Sequence, residues 1–299
     1  MLYSRKAPTA KRADLRAALN HGGLLRFAGA FSPVVAQLIE EIGFDGVYLG
    51  SSMLSADLGL PDIGLVTLSE AASRGGAISR VTALPTLIDI DTGYGETVNV
   101  ARAMQELEDA GLAGLHLEDQ INPKRCGHLD NKALVEPAAM VEKIRAAVGA
   151  RRDPDFLIMA RTDARAVEGM DAAIRRAKAY VDAGADAIFP EAMADEAEFA
   201  AFRDAVDVPL LANMTEFGKS KLLGAATLRD LGYNMVIYPA TAFRLAMRAV
   251  EDGLRRVEAD GGQAQIIDRL MTRKRFYQLI GYDEYGQFDQ SIANFELDP

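Results

Sequence analysis

One local pattern constrains this chain more than any other feature: four times, a helical segment ends at a glycine, two residues follow, and a short apolar run begins. The copies are Gly43-Phe44-Asp45 before "GVYLG", Gly111-Leu112-Ala113 before "GLHLED", Gly184-Ala185-Asp186 before "AIFPE" and Gly232-Tyr233-Asn234 before "MVIYP". Glycine just past a helix end takes the left-handed conformation at little steric cost. A short apolar run after it reads as a strand buried on both faces. Four further strands fit between these copies, at Leu24 to Ala28, Leu84 to Ile90, Phe156 to Arg161 and Pro209 to Asn213. Helical patterns separate most of them, among them Val98 to Ala110, Pro137 to Val148, Asp171 to Ala183 and Glu196 to Val206. Strands alternating with helices imply a parallel sheet, and eight of them point to a closed (β/α)8 barrel. A doubly wound open sheet satisfies the same alternation, but neither GxGxxG after a strand nor GxxxxGK[ST] is present to support a nucleotide-binding version of it.

After Thr241 the pattern predicts two more helices, Ala242 to Ala259 and Ala264 to Leu279, separated by the "DGG" at 260 to 262. A barrel needs one closing helix, so the extra one is expected to pack elsewhere, against a neighbouring subunit. No low-complexity linker divides the 299 residues, which predicts a single domain, 1–299, with a helical extension at 242–299.

The formal net charge of −10 disfavours a nucleic-acid binder, which needs a basic surface to displace counterions. Anionic substrates are then left to local arginines. The single cysteine, Cys126, excludes an intrachain disulfide and fits a reducing, cytoplasmic compartment. Residues Met1 to Arg16 carry charge throughout, so no signal peptide is expected, and no apolar stretch is long enough to span a membrane.

Catalytic residues of a barrel gather at the C-terminal ends of its strands, and here those ends are polar in succession. Strand two runs through Tyr48 into Gly50-Ser51-Ser52, and strand three ends Asp89-Ile90-Asp91. Strand four ends His116-Leu117-Glu118-Asp119, and strand five ends Arg161-Thr162-Asp163. Strand six ends Pro190-Glu191, and strand seven ends Asn213-Met214-Thr215-Glu216. Asp89 and Asp91, two apart, place their carboxylates on one side of a strand. Hard oxygen donors without a Cys or His cluster favour Mg2+ or Mn2+. The same pair also reads as a solvated loop start or as the N-cap of the helix after Gly95. The company of Glu118 and Asp62 favours the metal.

The segment Asn122 to Lys132, "NPKRCGHLDNK", is too polar for core and holds the lone cysteine among Lys124, Arg125 and His128. Positive neighbours are expected to lower a thiol pKa. The segment reads as a mobile lid that carries an acid–base thiol over the site. A cysteine nucleophile activated by histidine is the alternative. His116, within a strand, reads as structural, and His21 receives no role. Arg161 is expensive to bury unpaired, so it either faces the site and binds a carboxylate or pairs structurally with Glu118 or Glu191.

The segments "LGLPDIG", "IDIDTGYG", "HLEDQ", "KRCGH", "IMARTDA", "FPEA", "ANMTEFG" and "YPATAFR" follow one another in the order and spacing of a known family. From about Leu24 to about Tyr277 the chain resembles the isocitrate lyase and phosphoenolpyruvate mutase superfamily. "KRCGH" marks its lyases that carry a catalytic cysteine, and the likeness is greatest to those that cleave methylisocitrate in propionate breakdown.

The resemblance implies a TIM barrel whose last helix is swapped between subunits of a homotetramer. It implies Mg2+ at Asp89 and Asp91, with Asp62 and Glu118 around it. A small tricarboxylate substrate would meet Gly50, Ser51, Ser52, Cys126, Gly127, Arg161, Glu191, Asn213, Thr215, Arg244 and Arg273. The implied reaction is a retro-Claisen cleavage to pyruvate and succinate, with isocitrate, dimethylmalate or oxaloacetate as alternative substrates. Tyr48 or a carboxylate near the metal would take the hydroxyl proton, and Cys126 as a neutral thiol would protonate the product carbon. One departure stands out: Gly50-Ser51-Ser52 replaces the Ser-Gly-Gly frequent in the superfamily, so hydroxyls are added at 51 and 52 and one is lost at 50.

Overall fold

The computed structural model describes residues 6–293. Eight parallel strands are present: β1 (Leu25–Gly29), β2 (Gly46–Leu49), β3 (Thr86–Asp89), β4 (Gly114–Glu118), β5 (Leu157–Thr162), β6 (Ala187–Pro190), β7 (Leu211–Asn213) and β8 (Met235–Tyr238). They pair in the order β6-β5-β4-β3-β2-β1-β8-β7. A parallel bridge between Ile188 and Leu210 joins the two ends, with Ile188 N–H donating to the Pro209 carbonyl at 3.0 Å. The sheet therefore closes on itself as a (β/α)8 barrel, and the open-sheet alternative falls. The four punctuating glycines all take left-handed φ angles, +93° at Gly43, +85° at Gly111, +105° at Gly184 and +80° at Gly232, which makes each a helix stop that a side chain would strain.

Strand alternation sorts the side chains into two cores. Val47, Ile88, Leu115, Leu117, Ile158 and Ala160 face outward against the helices. Phe27, Leu87, Leu157, Met159, Phe189, Leu211 and Ile237 fill the barrel's interior, closed from below by Leu15 and Leu19 of the helix Pro8–His21. The polar residues that share the inward parity form the layer above. The strand register sets Asp89 beside His116, Glu118 beside Arg161, and Arg161 beside Phe189. The mouth is thus a continuation of the packed interior, and its charged groups are buried because the strands bury them.

The tail departs from expectation in two places. The helix Thr241–Asp260 ends at Gly261 as predicted. The following stretch is not one helix, however. It is a 3-10 turn, Ala264–Arg269, then extended Leu270, then a new helix, Arg273–Leu279. Thr272 caps that helix, its hydroxyl accepting from Arg275 N–H at 3.2 Å, and a helix start cannot also be a helix interior. A last helix, Tyr282–Ala293, was not foreseen. Among the described residues, no helix is long and apolar enough to cross a membrane.

Candidate active site

Residues from both sides of the mouth line one small cavity of about 50 Å3: Tyr48, Ser51, Ser52, Asp62 and Asp89 on one side, and Cys126, Gly127, Arg161, Glu191, Asn213 and Thr215 on the other. Gly50 lies just behind, as the N-cap of the short helix Ser51–Asp57, close enough to the Tyr48 ring that an added Cβ would sit 2.9 Å from it. Two expected contacts do not reach the cavity. Arg244 is exposed on the first turn of Thr241–Asp260, its guanidinium 5.0 Å from the centre of the Phe217 ring. Arg273 is exposed at the start of its own helix. Both belong to the tail, and Arg244 stops beside the loop after β7, 3.8 Å from Glu216.

Asp89 and Asp91 converge, though not by strand alternation. β3 stops at Asp89, and Asp91 has a left-handed φ of +50°. That turn brings Asp91 N–H onto Asp89 Oδ1 at 2.9 Å, while Ser51 Oγ donates to Asp89 Oδ2 at 2.9 Å. The Lys124 ammonium stands among the acids, 2.8 Å from Asp91 Oδ1, 3.2 Å from Ser51 Oγ and paired with Asp62. Burial alone would strip its proton, but Glu118, Asp91 and Asp89 outweigh burial and hold it charged. Burial likewise opposes ionisation of Asp89, and its neighbours His116, Lys124 and Arg161 reverse the balance, down to about 2.

The acids around Lys124 have the chemistry of a divalent-cation site. Among the described residues no three acidic, His or Cys side chains come together at metal-ligand spacing. Two carboxylates suffice for Mg2+, which keeps several of its waters. Glu118 is fully buried with neither carboxylate oxygen hydrogen-bonded, and Arg161 Nη2 lies 3.1 Å from its Oε2. Unpartnered buried oxygens beside a stand-in ammonium fit a hydrated cation held by Asp89 and Asp91.

Tyr48 OH and His116 Nε2 are 2.9 Å apart in a fully buried pair whose rings stack. Burial, reinforced by Asp89, raises the Tyr48 phenol well above 10.0, and burial lowers His116 to about 4. Both are neutral near pH 7. The Tyr48 hydroxyl is engaged with His116 Nε2 and keeps its proton near pH 7.

Arg161 faces the site and is also ion-paired within the fold. It lines the cavity, and it is paired with Glu118 and, at 3.4 Å, with Glu191. Its strongest partner, Asp163, was not foreseen; Oδ2 accepts from Nε at 3.0 Å and Oδ1 from Nη2 at 3.3 Å. Glu191 also meets His128 Nε2 at 2.8 Å and Asn213 Nδ2 at 3.3 Å. Burial opposes its charge, but Arg161 and His128 overcome that and hold the carboxyl below its ordinary range.

The Asn122–Lys132 segment is seated on the mouth. Gly127 lies directly over Glu191 and Arg161, where an added Cβ would come 2.4 Å from Glu191 Cγ and 2.5 Å from Arg161 Nη2. His128 is clamped on both ring nitrogens, by Glu191 and by the Lys219 N–H at 2.9 Å. It is therefore not free to activate Cys126, which removes the nucleophile reading. The expected lowering of the Cys126 pKa is also reversed. Burial raises the thiol above 9.0, because Lys124 faces the acids, His128 faces Glu191, and Arg125 is solvent-exposed. A cavity of about 50 Å3 is far below the ~300 Å3 at which small-molecule pockets begin. The segment would have to lift to admit a ligand as large as the tricarboxylate that the resemblance implies. We expect Gly127→Ala to keep it from seating and to lower kcat about 100-fold, with the loss read by steady-state pyruvate release; wild-type kcat would refute the close fit.

Comparison with known proteins supports the same reading. The family model described as phosphoenolpyruvate phosphomutase matches residues 15–258. "Probable 2-methylisocitrate lyase 2" of Corynebacterium glutamicum is 56% identical over 100% of this chain and 97% of its own length. The 2-methylisocitrate lyase of Escherichia coli is 46% identical over 91% of this chain and 93% of its own. The crystal structure of a 2,3-dimethylmalate lyase superposes with a TM-score of 0.90 at 30% identity, covering 99% of this chain and 100% of that one. The shared barrel, the acidic strand ends and these likenesses establish that the chain belongs to the phosphoenolpyruvate mutase and isocitrate lyase superfamily.

Proposed function

We propose that this protein is a carbon–carbon lyase that splits 2-methylisocitrate into pyruvate and succinate with the help of Mg2+, or Mn2+ in its place. The observation that carries the reading is the seating of Cys126-Gly127 over Arg161 and Glu191, across the cavity from Asp89. It agrees with relatives 44% to 56% identical that bear the name 2-methylisocitrate lyase.

A divalent cation held by Asp89 and Asp91 would polarise the substrate hydroxyl and its neighbouring carboxylate. The chain's own residues do the rest. Arg161 is fixed by Asp163 and pairs through Nη1 and Nη2 with Glu191 and Glu118, and a second substrate carboxylate would take over part of that pairing at the cavity. The hydroxyl proton passes to a carboxylate of the acidic cluster, and the C–C bond between the hydroxyl carbon and its methine neighbour breaks. The hydroxyl carbon becomes the ketone of pyruvate. The electron pair moves to the methine carbon and its carboxylate, giving the enediolate-like form of succinate. Cys126, a neutral thiol on the seated lid, donates its proton to that carbon. The docked segment excludes water while the carbanion exists.

Product analysis tests this directly. With 2-methylisocitrate, isocitrate and 2,3-dimethylmalate offered side by side, pyruvate plus succinate from the first should dominate. Glyoxylate release from isocitrate at a higher kcat/KM would overturn the assignment.

The tail supports assembly into a homotetramer with its last helix swapped. Leu245 and Leu254 on Thr241–Asp260 and Tyr282, Tyr285, Phe288 and Ile292 on Tyr282–Ala293 are exposed, more apolar surface than an isolated chain leaves bare. Light scattering on the purified protein is expected to give about four chains per particle, and a stable monomer would rule the assembly out. A lone catalytic thiol suits a reducing setting, so we place the enzyme in the cytoplasm.

A further inference from the structure

We infer that Lys132 is a positioning residue that couples lid seating to the orientation of Arg161 through Asp163. The inference rests on the proposed lyase reading and extends it to a residue that touches no substrate.

Lys132 stands at the C-terminal foot of the lid segment, yet its side chain is only 1% exposed. Its ammonium reaches two groups. One is Asp163 Oδ1, at 2.8 Å, and the other is the carbonyl of Gly127, with which it is hydrogen-bonded. Asp163 is itself fully buried and held from behind. Its N–H donates to Asp119 Oδ1 at 2.9 Å, and Asp119 Oδ2 in turn accepts from Thr162 Oγ1 and Tyr180 OH, each at 2.8 Å. The Asp163 backbone is thereby fixed, and its carboxylate is held between Arg161 and Lys132. The carboxylate presents one edge to Arg161 and shares Oδ1 with Lys132.

This geometry ties two events together. The Gly127 carbonyl comes within reach of the ammonium only when the segment folds back over the mouth, because Lys132 is anchored on β5's side by Asp163. Gly127 then covers Arg161 and Glu191 and brings Cys126 to the cavity. The same ammonium is a second cation on Asp163, so Asp163 does not depend on Arg161 alone, and Arg161 is held at the cavity wall with Nη1 toward Glu191 and Nη2 toward Glu118. Without Lys132, Asp163 draws wholly on Arg161, and the lid loses a buried charge-assisted hydrogen bond.

The test pairs kinetics with limited proteolysis. Lys132→Met is expected to speed tryptic cleavage after Arg125 in the substrate-free protein about tenfold or more. It should lower kcat by a comparable factor, with KM changed much less, because the closed lid serves the chemical step rather than the first encounter. Lys132→Gln keeps a donor for the Gly127 carbonyl without the charge and should fall between Lys132→Met and wild type on both readouts. Wild-type cleavage and wild-type kcat in both variants would overturn the coupling, as would a kcat loss with lid protection unchanged. The proteolysis arm needs no substrate. A wild-type protein inactive on 2-methylisocitrate would therefore sink the proposed reaction while leaving the lid comparison to stand or fall by itself.

Discussion

Cys126→Ser is expected to lower kcat by about 10²- to 10⁴-fold, the span over which a positioned proton donor contributes, while succinate still binds with near wild-type affinity. The serine hydroxyl holds its proton far more tightly than a thiol, so it is the weaker acid toward the product carbon, yet it fills almost the same space under the lid. Isothermal titration with succinate and steady-state pyruvate release together separate the two effects. Turnover near the wild-type rate would remove Cys126 from the reaction.

The pH profile carries the sign. An acid must be protonated to act, and burial raises this thiol above 9.0. Its contribution is therefore fully present at neutral pH and is lost only as pH rises through that raised value. A flat rate from about pH 7 to about pH 9 is expected. A rate that climbs over this range would mean that a thiolate does the work. Lys124 and Arg125 flank the cysteine in the sequence and would have lowered its pKa had they faced it. The fold turns one toward Asp91 and the other toward solvent.

Chelation is expected to lower turnover about 10³-fold, in line with the several kcal/mol that a Lewis acid supplies to a developing alkoxide. Mg2+ or Mn2+ should restore it. The binding of Mn2+, read by its paramagnetic resonance signal, gives a check independent of catalysis. Asp89→Asn should weaken that signal's titration, because a neutral amide replaces a carboxylate that its surroundings keep ionised down to about pH 2. Full activity in EDTA, or unchanged Mn2+ affinity in Asp89→Asn, would exclude a cation at these acids. A cation bound at these acids would displace the Lys124 ammonium, which is paired with Asp91 and Asp62.

The eight strands, their parallel order of use and the polar layer at their ends were legible in the sequence. Glycine stops, apolar runs and strand-end carboxylates are local features, and the two-residue strand period decides which side chains point inward. The Cys126 segment was legible as a loop over the polar mouth because of its charges, although Lys124 and Lys132 are buried there against acids. The partner of each charge was not legible. Lys124 with Asp62, His128 with Glu191, Lys132 with Asp163 and Tyr48 with His116 lie far apart along the chain, and only barrel closure brings the loops of β2, β4, β5 and β6 together.

The same limit explains the reversed pKa of Cys126 and the neutral Tyr48. Both follow from burial and from which neighbour a charge faces, and neither is a property of adjacent residues. The tail misled for a different reason, because an apolar helical repeat does not mark where Thr272 restarts the helix. Sequence alone thus determined the barrel and the kinds of group at its mouth. Tertiary structure decided which of those groups keep their protons and which hold one another, because long-range electrostatics in a buried layer depend on distances that only the closed fold sets.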